Sequence, residues 1–586
     1  MTSMYLVLPF LIPPVLSILN RKLGYLSVTL ASLYLLILSL YEYPYELSTL
    51  FITISSIVWI LTSIFSIKYD DYGNWLSPLY SVTILGITII LESSNYIEFL
   101  AGWEIMTIPA YVAIGLIRKE YRPPYIFMAF GELSTALLLA SFIIASANTN
   151  TTSFTQLTSP LPLILATIGF TIKMGILPFM VSEWLPIAHG TAPSNLSSVL
   201  SSTMTLMGIY GILKMAELTT DIPIAFSLFI SAIGAFSVFF GSLYAYVNEN
   251  TKGILAFSTI ENNGAILVSL GLFMFAEQLG ISSIENIAFY TVIIYAFAHS
   301  IAKAGLFMSA GAQGSQAISH TKKLRDLYYV LGLILLTSSM SGLLPNLGGV
   351  ASWLTLENLF ITSYILHSLI SVIFIAIGAI VAMGEGFATA ALVRYIIYLS
   401  LFRADYKKID KLLSIPILVS GILVLVFGTV LPYLLYPYKT SVPQLGMLGD
   451  SLIVTEYGDT AFGAISPLYV VLLISAFSLV TYLVFGKPKI RRVKIWNNGV
   501  NDQEEYTAFA MSNNIRLMLR KIIRTDENKY LPTYGIDIFW EYIYKFSRGA
   551  MDFGGKFGRA LINSSISWYI FYIIIALIII SLLIVI

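Results

Sequence analysis

Runs of about 20 apolar residues, each closed by a short polar stretch, recur from Met4 to Ile586. That is the length an α-helix needs to cross about 30 Å of hydrocarbon, and it leaves few other folds open. A β-barrel shows weak two-residue alternation instead. Composition agrees, with 57% hydrophobic and 11% charged residues against about 25% charged in soluble domains. The sequence therefore predicts an all-α polytopic membrane protein of about 14–16 transmembrane helices, placed near 4–19, 24–41, 51–68, 77–92, 95–117, 125–146, 161–182, 195–217, 223–247, 253–276, 286–312, 327–360, 366–402, 414–436, 467–485 and 566–586. The first of these, Tyr5 to Leu19, has no basic stretch before it and runs into Asn20-Arg21-Lys22, so it is expected to be a retained helix and not a cleaved leader.

Several chemistries are excluded at once. The net charge is +1 and no long Lys/Arg run occurs, so nucleic acid is not an expected partner. Cysteine is absent, so this chain builds no disulfide, zinc thiolate or iron–sulfur cluster, and no cofactor or metal is expected in it. No nucleophile elbow, His-Glu-x-x-His pair, phosphate loop or dinucleotide fingerprint stands in a credible setting, so no catalytic site is expected. The basic stretches Arg21-Lys22, Arg118-Lys119, Lys322-Lys323, Lys407-Lys408 and 487–494 fall on one side under this helix count, while Ala147 to Ser159 carries no Lys or Arg. The positive-inside rule then puts those stretches, and the polar segment 486–565, in the cytoplasm of a cell-membrane protein. Within that segment Ile515, Met518, Leu519, Ile522 and Ile523 share one helical face and Arg516, Arg520, Lys521 and Arg524 the other, the pattern of a helix lying on a membrane surface. The organisation expected is N-terminal helices over 1–70, a core over 71–405, C-terminal helices over 406–485, the polar segment 486–565 and a last helix over 566–586.

Two spans are interrupted from within, by Lys173-Met-Gly-Ile-Leu-Pro178 and by Gly342-Leu-Leu-Pro345-Asn-Leu-Gly-Gly349. Broken helices in hydrocarbon expose backbone groups and are tolerated mainly where they line a cavity or a pathway; a kink used only for packing is the plainer alternative. Ionisable residues inside the spans each cost about 2.5–3.5 kcal/mol on insertion scales and mark function by default. Glu104 lies about nine residues into its helix, and Lys173 a similar distance into its own, directly before the first interruption. Desolvation opposes charge on both and mutual approach favours it, which makes a switchable proton site. His299 and Lys303 are four apart, hence on one helix face. Glu261, in Ser258-Thr-Ile-Glu-Asn-Asn-Gly264, has two amides beside it and fits a hydrogen-bond network as well as conduction. Glu132, Glu357, Glu385 and Arg394 also fall in apolar spans; for Glu132 and Glu385 an end-of-helix carboxylate reaching water is the plainer reading. Lys214 closes its helix and is expected to snorkel. His189 lies on a tight connection after the first interruption, where it gates proton uptake or caps the turn.

Gly102-Trp-Glu104, Lys173 through Pro193 (with Trp184-Leu-Pro-Ile-Ala-His-Gly-Thr-Ala-Pro193), Lys252 to Gly264 and His299 to Gly311 resemble the antiporter-like proton-translocating subunits shared by complex I, Mrp-type cation/proton antiporters and membrane-bound hydrogenases. The resemblance covers roughly residues 70 to 360, and Ser258 to Gly264 looks most like the large membrane subunit of formate hydrogenlyase-type hydrogenases. It implies a pair of inverted five-helix repeats, a Glu104–Lys173 pair modulated during pumping, a hydrated axis continued by His299 and Lys303, and an exit by Glu357 or Arg394. It further implies partner membrane subunits, a peripheral redox arm, and H⁺ or Na⁺ as the ion moved. Two positions depart from the pattern: Leu206 stands where the eighth helix has a lysine, and Trp353 follows Ser352 where a charged residue is expected. Three functions stay open on this reading: a proton-translocating subunit of a redox complex, an Mrp-type antiporter subunit, and a structural membrane subunit with no ion path.

Overall fold

The computed structural model describes residues 2–42, 47–70, 72–118, 122–176, 181–315, 317–318, 323–324, 326–401, 406–407, 409–435, 445–446, 452–457, 460–486, 508–519, 523–524, 536–537, 545, 548–549 and 556. The chain divides into Met1–Asn513 and Asn514–Ile586. In the second part the described elements are the end of one helix and an antiparallel pairing of Ile523–Arg524 with Ile536–Asp537. The expected final helix over 566–586, Pro178, and Arg520 and Lys521 of the basic face lie outside the described residues.

The first part is a helical membrane bundle. In chain order it contains α1 (Thr2–Val7), α2 (Ile12–Leu19), α3 (Arg21–Glu42), α4 (Leu47–Tyr69), α5 (Leu76–Glu92), α6 (Tyr96–Arg118), α7 (Arg122–Thr149), α8 (Leu161–Met174) and α9 (Val181–Thr191). There follow α10 (Ser194–Val199), a π-helical turn at Leu200–Met204, α11 (Thr205–Leu218), α12 (Ile224–Val247), α13 (Thr251–Leu279) and α14 (Ser282–Gln313). The remainder is α15 (Leu327–Met340), α16 (Leu347–Leu366), α17 (Leu369–Ile396), α18 (Lys411–Leu435), α19 (Pro467–Phe485) and α20 (Ala508–Met518), the last crossing the division. Among the described residues, 11 helices are long and apolar enough to cross a membrane, and four shorter apolar ones accompany them. The protein is a multi-pass membrane protein.

Both anticipated interruptions are present. α8 stops at Gly175, which takes the left-handed conformation at φ 77° that closes a helix without a Cβ clash. The second break spans Ser341 to Asn346, with Gly342 at φ 67° and a cis Leu344–Pro345 bond. The single helix expected over 327–360 is therefore two: Gly348 and Gly349 lie inside the resumed helix α16, which runs on to Leu366. The glycine pair sits where a side chain would strike Ser339 and Leu343 across the break. From α5 to α17 the chain reads as two successive runs of five crossings, each with its fourth crossing broken. Five is odd, so the second run starts from the opposite face.

Connections sort onto two faces. On one, Lys68 pairs with Asp410 at 3.5 Å, the Tyr69 hydroxyl accepts from the Ser194 amide at 3.1 Å, Asn250 bridges Ala317 and Lys323–Leu324 runs parallel to Tyr406–Lys407. On the other, Asn95 bridges Ser153 and Leu157 bridges Thr219. Buried aromatic and aliphatic side chains fill the interior, including Trp59, Trp103 and Tyr80. The α12–α13 crossing is a close one. A Cβ on Gly264 would stand 2.7 Å from the Gly234 carbonyl oxygen and 2.9 Å from Ser237 Cβ. Small residues permit that backbone approach where no hydrophobic force drives helices together in lipid. Gly264→Leu is accordingly expected to overpack the crossing by about 1–3 kcal/mol, read as a lower melting temperature of the detergent-purified subunit; Gly264→Ala lowers it less.

Candidate functional site

The first cluster joins α6, α7 and α8. Lys173 lies in the last turn of α8, is buried, and donates to the Thr107 hydroxyl at 2.7 Å. Trp103 and Phe127 flank the ammonium at 5.6 and 5.1 Å from their ring centroids, a face-on setting that favours a cation. The Thr107 hydroxyl in turn donates to the Trp103 carbonyl at 2.8 Å. Glu104, half-buried and one turn before Thr107, accepts the Thr135 hydroxyl at 2.6 Å. Glu104 and Lys173 thus face the same helix turn without forming an ion pair: the lysine holds the threonine instead. Glu132 lies on α7 and is exposed on the side of the bundle. It is eleven residues into a helix of 28, so the end-of-helix reading does not apply to it.

The second cluster joins α13 and α14. Lys303 donates to the Ser258 hydroxyl at 2.6 Å, and Ser258 donates on to Glu261 Oε2 at 3.1 Å. Asn262 Nδ2 donates to the same carboxylate oxygen at 2.5 Å. All four residues are buried. The arrangement repeats the first in kind, since a lysine reaches a hydroxyl three residues from a glutamate on the neighbouring helix. His299, one turn before Lys303, turns to another neighbour: its Nε2 lies 3.1 Å from the Ser201 carbonyl in the π turn. A carbonyl only accepts, so Nε2 carries a proton.

A third group surrounds the second break. Glu385 sits midway along α17, not at a helix end, and its Oε1 accepts Ser352 at 3.0 Å and Tyr295 at 3.4 Å. Thr389 donates to the Ser341 carbonyl released by the break, at 3.1 Å. The carboxylate faces the interruption and was misjudged from sequence as a water-reaching residue. Glu357 accepts Thr455 at 3.0 Å from the hairpin strand Ile453–Tyr457, which is paired with Thr460–Ile465.

The remaining expected residues stand apart. Arg394 is buried against the connection between α12 and α13, on the face opposite Glu357: it pairs with Glu249 at 3.0 Å, donates to Ser512 at 3.2 Å and to the Asn248 carbonyl, and lies 5.8 Å from the Tyr246 ring. His189 is buried, stacks on Phe307 with centroids 5.2 Å apart, and its carbonyl accepts Ser197 at 3.1 Å. Nearby, Lys252 donates to the Ala192 carbonyl at 2.6 Å. Lys214 is half-buried with its ammonium 5.6 Å from the Phe154 centroid, near the end of α11. The hydroxyls of Thr107, Thr135 and Ser352 and the carbonyl of Ser201 went unread as partners in the sequence. The three-residue spacing of Thr107 from Glu104 was the one signal available for them.

A broken helix in each of two five-crossing runs, with a lysine before the first break and carboxylates on the adjoining helices, defines an antiporter-like membrane fold. Residues 93–378 match the family described as NADH:quinone oxidoreductase/Mrp antiporter, transmembrane. Hydrogenase-4 component B of Escherichia coli (strain K12) is 26% identical over 340 residues, 54% of this chain and 50% of that protein. Na(+)/H(+) antiporter subunit A1 of Staphylococcus saprophyticus is 29% identical over 497 residues, 75% of this chain and 59% of that one. The chain thus spans half to three-fifths of the length of these curated relatives. Among solved structures, a chain of the archaeal membrane-bound sulfane sulfur reductase superposes with a TM-score of 0.76 at 18% identity, covering 98% of this chain and 99% of that one, which shows a shared fold.

Proposed function

We propose that this chain is a proton-translocating membrane subunit of a redox complex of the complex I-like or hydrogenase-like kind, coupled to electron transfer in other subunits and built among other membrane subunits and a peripheral redox arm. The observation that carries the reading is the first cluster: a buried lysine at a helix break, held on Thr107 within one turn of Glu104. Moving the ammonium from Thr107 to Glu104 exchanges a neutral acceptor for a charged one. An event that alters Glu104 therefore changes whether Lys173 keeps its proton. Lys303, on Ser258 and next to Glu261, is the second station of the same kind. Glu385 at the second break, and Glu357 beyond it, continue toward the opposite face. The face carrying Arg21, Lys22, Lys68, Lys252 and Lys411 is the cytoplasmic one under the positive-inside rule. Arg394 belongs to that face and is a structural clamp in this scheme.

The test neutralises Glu104 in the native assembly. In inverted membrane vesicles, Glu104→Gln is expected to lower proton uptake per electron several-fold while subunit abundance stays at the wild-type level; unchanged uptake would remove Glu104 from the path. A second reading, an Mrp-type cation/proton antiporter subunit, draws on the match to the antiporter subunit over 75% of this chain. It predicts proton movement driven by a Na⁺ gradient with no electron donor present.

A further inference from the structure

Leu206 is buried and apolar on α11, which packs against both α8, the helix of Lys173, and α13, whose Ser258 holds Lys303. One turn of α13 is polar on most of its circumference: Ser258, Thr259, Glu261, Asn262 and Asn263 are all buried. Three of them reach different structures. Ser258 meets Lys303. Asn263 Nδ2 donates at 2.7 Å to the carbonyl of Met174, the residue after Lys173, at the mouth of the first break. Thr259, one turn before Asn263, shares a hydroxyl–hydroxyl bond of 2.7 Å with Ser201, in which either oxygen can be the donor. Ser201 lies in the π turn, and its carbonyl holds His299. Turns of π-helix stagger the backbone ladder, and here Ser201 and Ser202 carbonyls accept from His299 and Ser300, the latter at 2.8 Å.

Three buried acceptors on this surface have no protein donor: Glu261 Oε1, Asn263 Oδ1 and His299 Nδ1. Buried acceptors left unpaired each cost about 1–3 kcal/mol, and internal water bonded to several such atoms is how proteins meet that cost. We propose that the Ser201–Thr259 hydroxyl pair, with water held on Asn263 and His299, forms the proton link between the Lys173 and Lys303 halves. The link rests on the translocation proposed above. A proton leaving Lys173 passes to water at Asn263. Each hydroxyl then takes a proton on one side and gives up its own on the other, and water at His299 Nδ1 carries it on toward Lys303 while His299 keeps its Nε2 proton on the Ser201 carbonyl. Both hydroxyls afterwards point the other way and must turn back, which the interchangeable donor role allows.

The experiment measures protons taken up per electron by inverted vesicles carrying the whole assembly, at matched subunit abundance. Thr259→Val, which keeps shape and removes the hydroxyl, and Ser201→Ala are each expected to lower the yield several-fold, while Thr259→Ser stays near wild type. Should Thr259→Val disturb assembly, Ser201→Ala carries the comparison alone. The proposal is overturned if both keep the wild-type yield while Lys173→Ala loses it, or if Thr259→Ser falls as far as Thr259→Val. Unchanged yield in Lys173→Ala itself would overturn the translocation reading, and the link with it.

Discussion

In Lys173→Ala vesicles, proton uptake per electron is expected to fall several-fold below wild type, with the subunit present at its normal level. The side chain is buried and its ammonium is held by one hydroxyl and two aromatic faces, so nothing else at that position can carry the charge. Alanine leaves Thr107 with a neutral gap. Thr107 keeps its own donor bond to Trp103, so no buried donor is stranded by the change. The loss therefore reads as missing transport and not as misfolding. Lys173→Arg separates charge from chemistry: it preserves a cation, but a guanidinium does not give up its proton in proteins, so uptake should remain low. Wild-type uptake in Lys173→Ala would show that the cluster has no part in an ion path.

Arg394→Met should behave in the opposite way. Arg394 satisfies Glu249, the Asn248 carbonyl and Ser512 at one buried point, and methionine can replace its volume but none of its donors. Breaking a buried ion pair from one side costs about 3–5 kcal/mol because the remaining charge stays uncompensated. The expected result is a large drop in the amount and thermal stability of the assembled subunit, with protons per electron unchanged in whatever assembles. Glu249→Gln in the same background should recover part of the stability, since it removes the stranded charge. An Arg394→Met subunit that assembled normally but pumped less would return Arg394 to the path.

Much of the fold was legible because lipid imposes one requirement on every span. Periods of about 20 apolar residues located the helices, and Gly with Pro inside a span located both breaks. Boundaries were less legible at the second break: Gly348 and Gly349 read as part of the interruption, whereas they serve a close crossing within α16. Charges inside spans pointed to Glu104, Lys173, Glu261, His299 and Lys303, but spacing within one helix does not reveal which neighbour each faces. His299 and Lys303 share a face by count, yet one turns to the π turn and the other to α13. Glu385 was misjudged for the same reason, since its partners Ser352 and Tyr295 come from α16 and α14. Ordinary serines and threonines, which supply most of the partners, carry no sequence signal of their role.

The π turn at Leu200–Met204 has a consequence for how this region can change over time. A π-helical turn holds one residue more than an α-turn, so everything from Thr205 onward is rotated by about 100° from where an unbroken count from Ser194 would put it. Loss of a single codon between 200 and 204 would restore regular winding and leave the flanking helices the same length to within one residue. It would also turn α11 relative to the contacts that Ser201 makes with His299 and Thr259. Insertions and deletions in membrane helices ordinarily shift a whole face; at this turn one residue acts as a local rotary adjustment, separating the winding of α10 from that of α11.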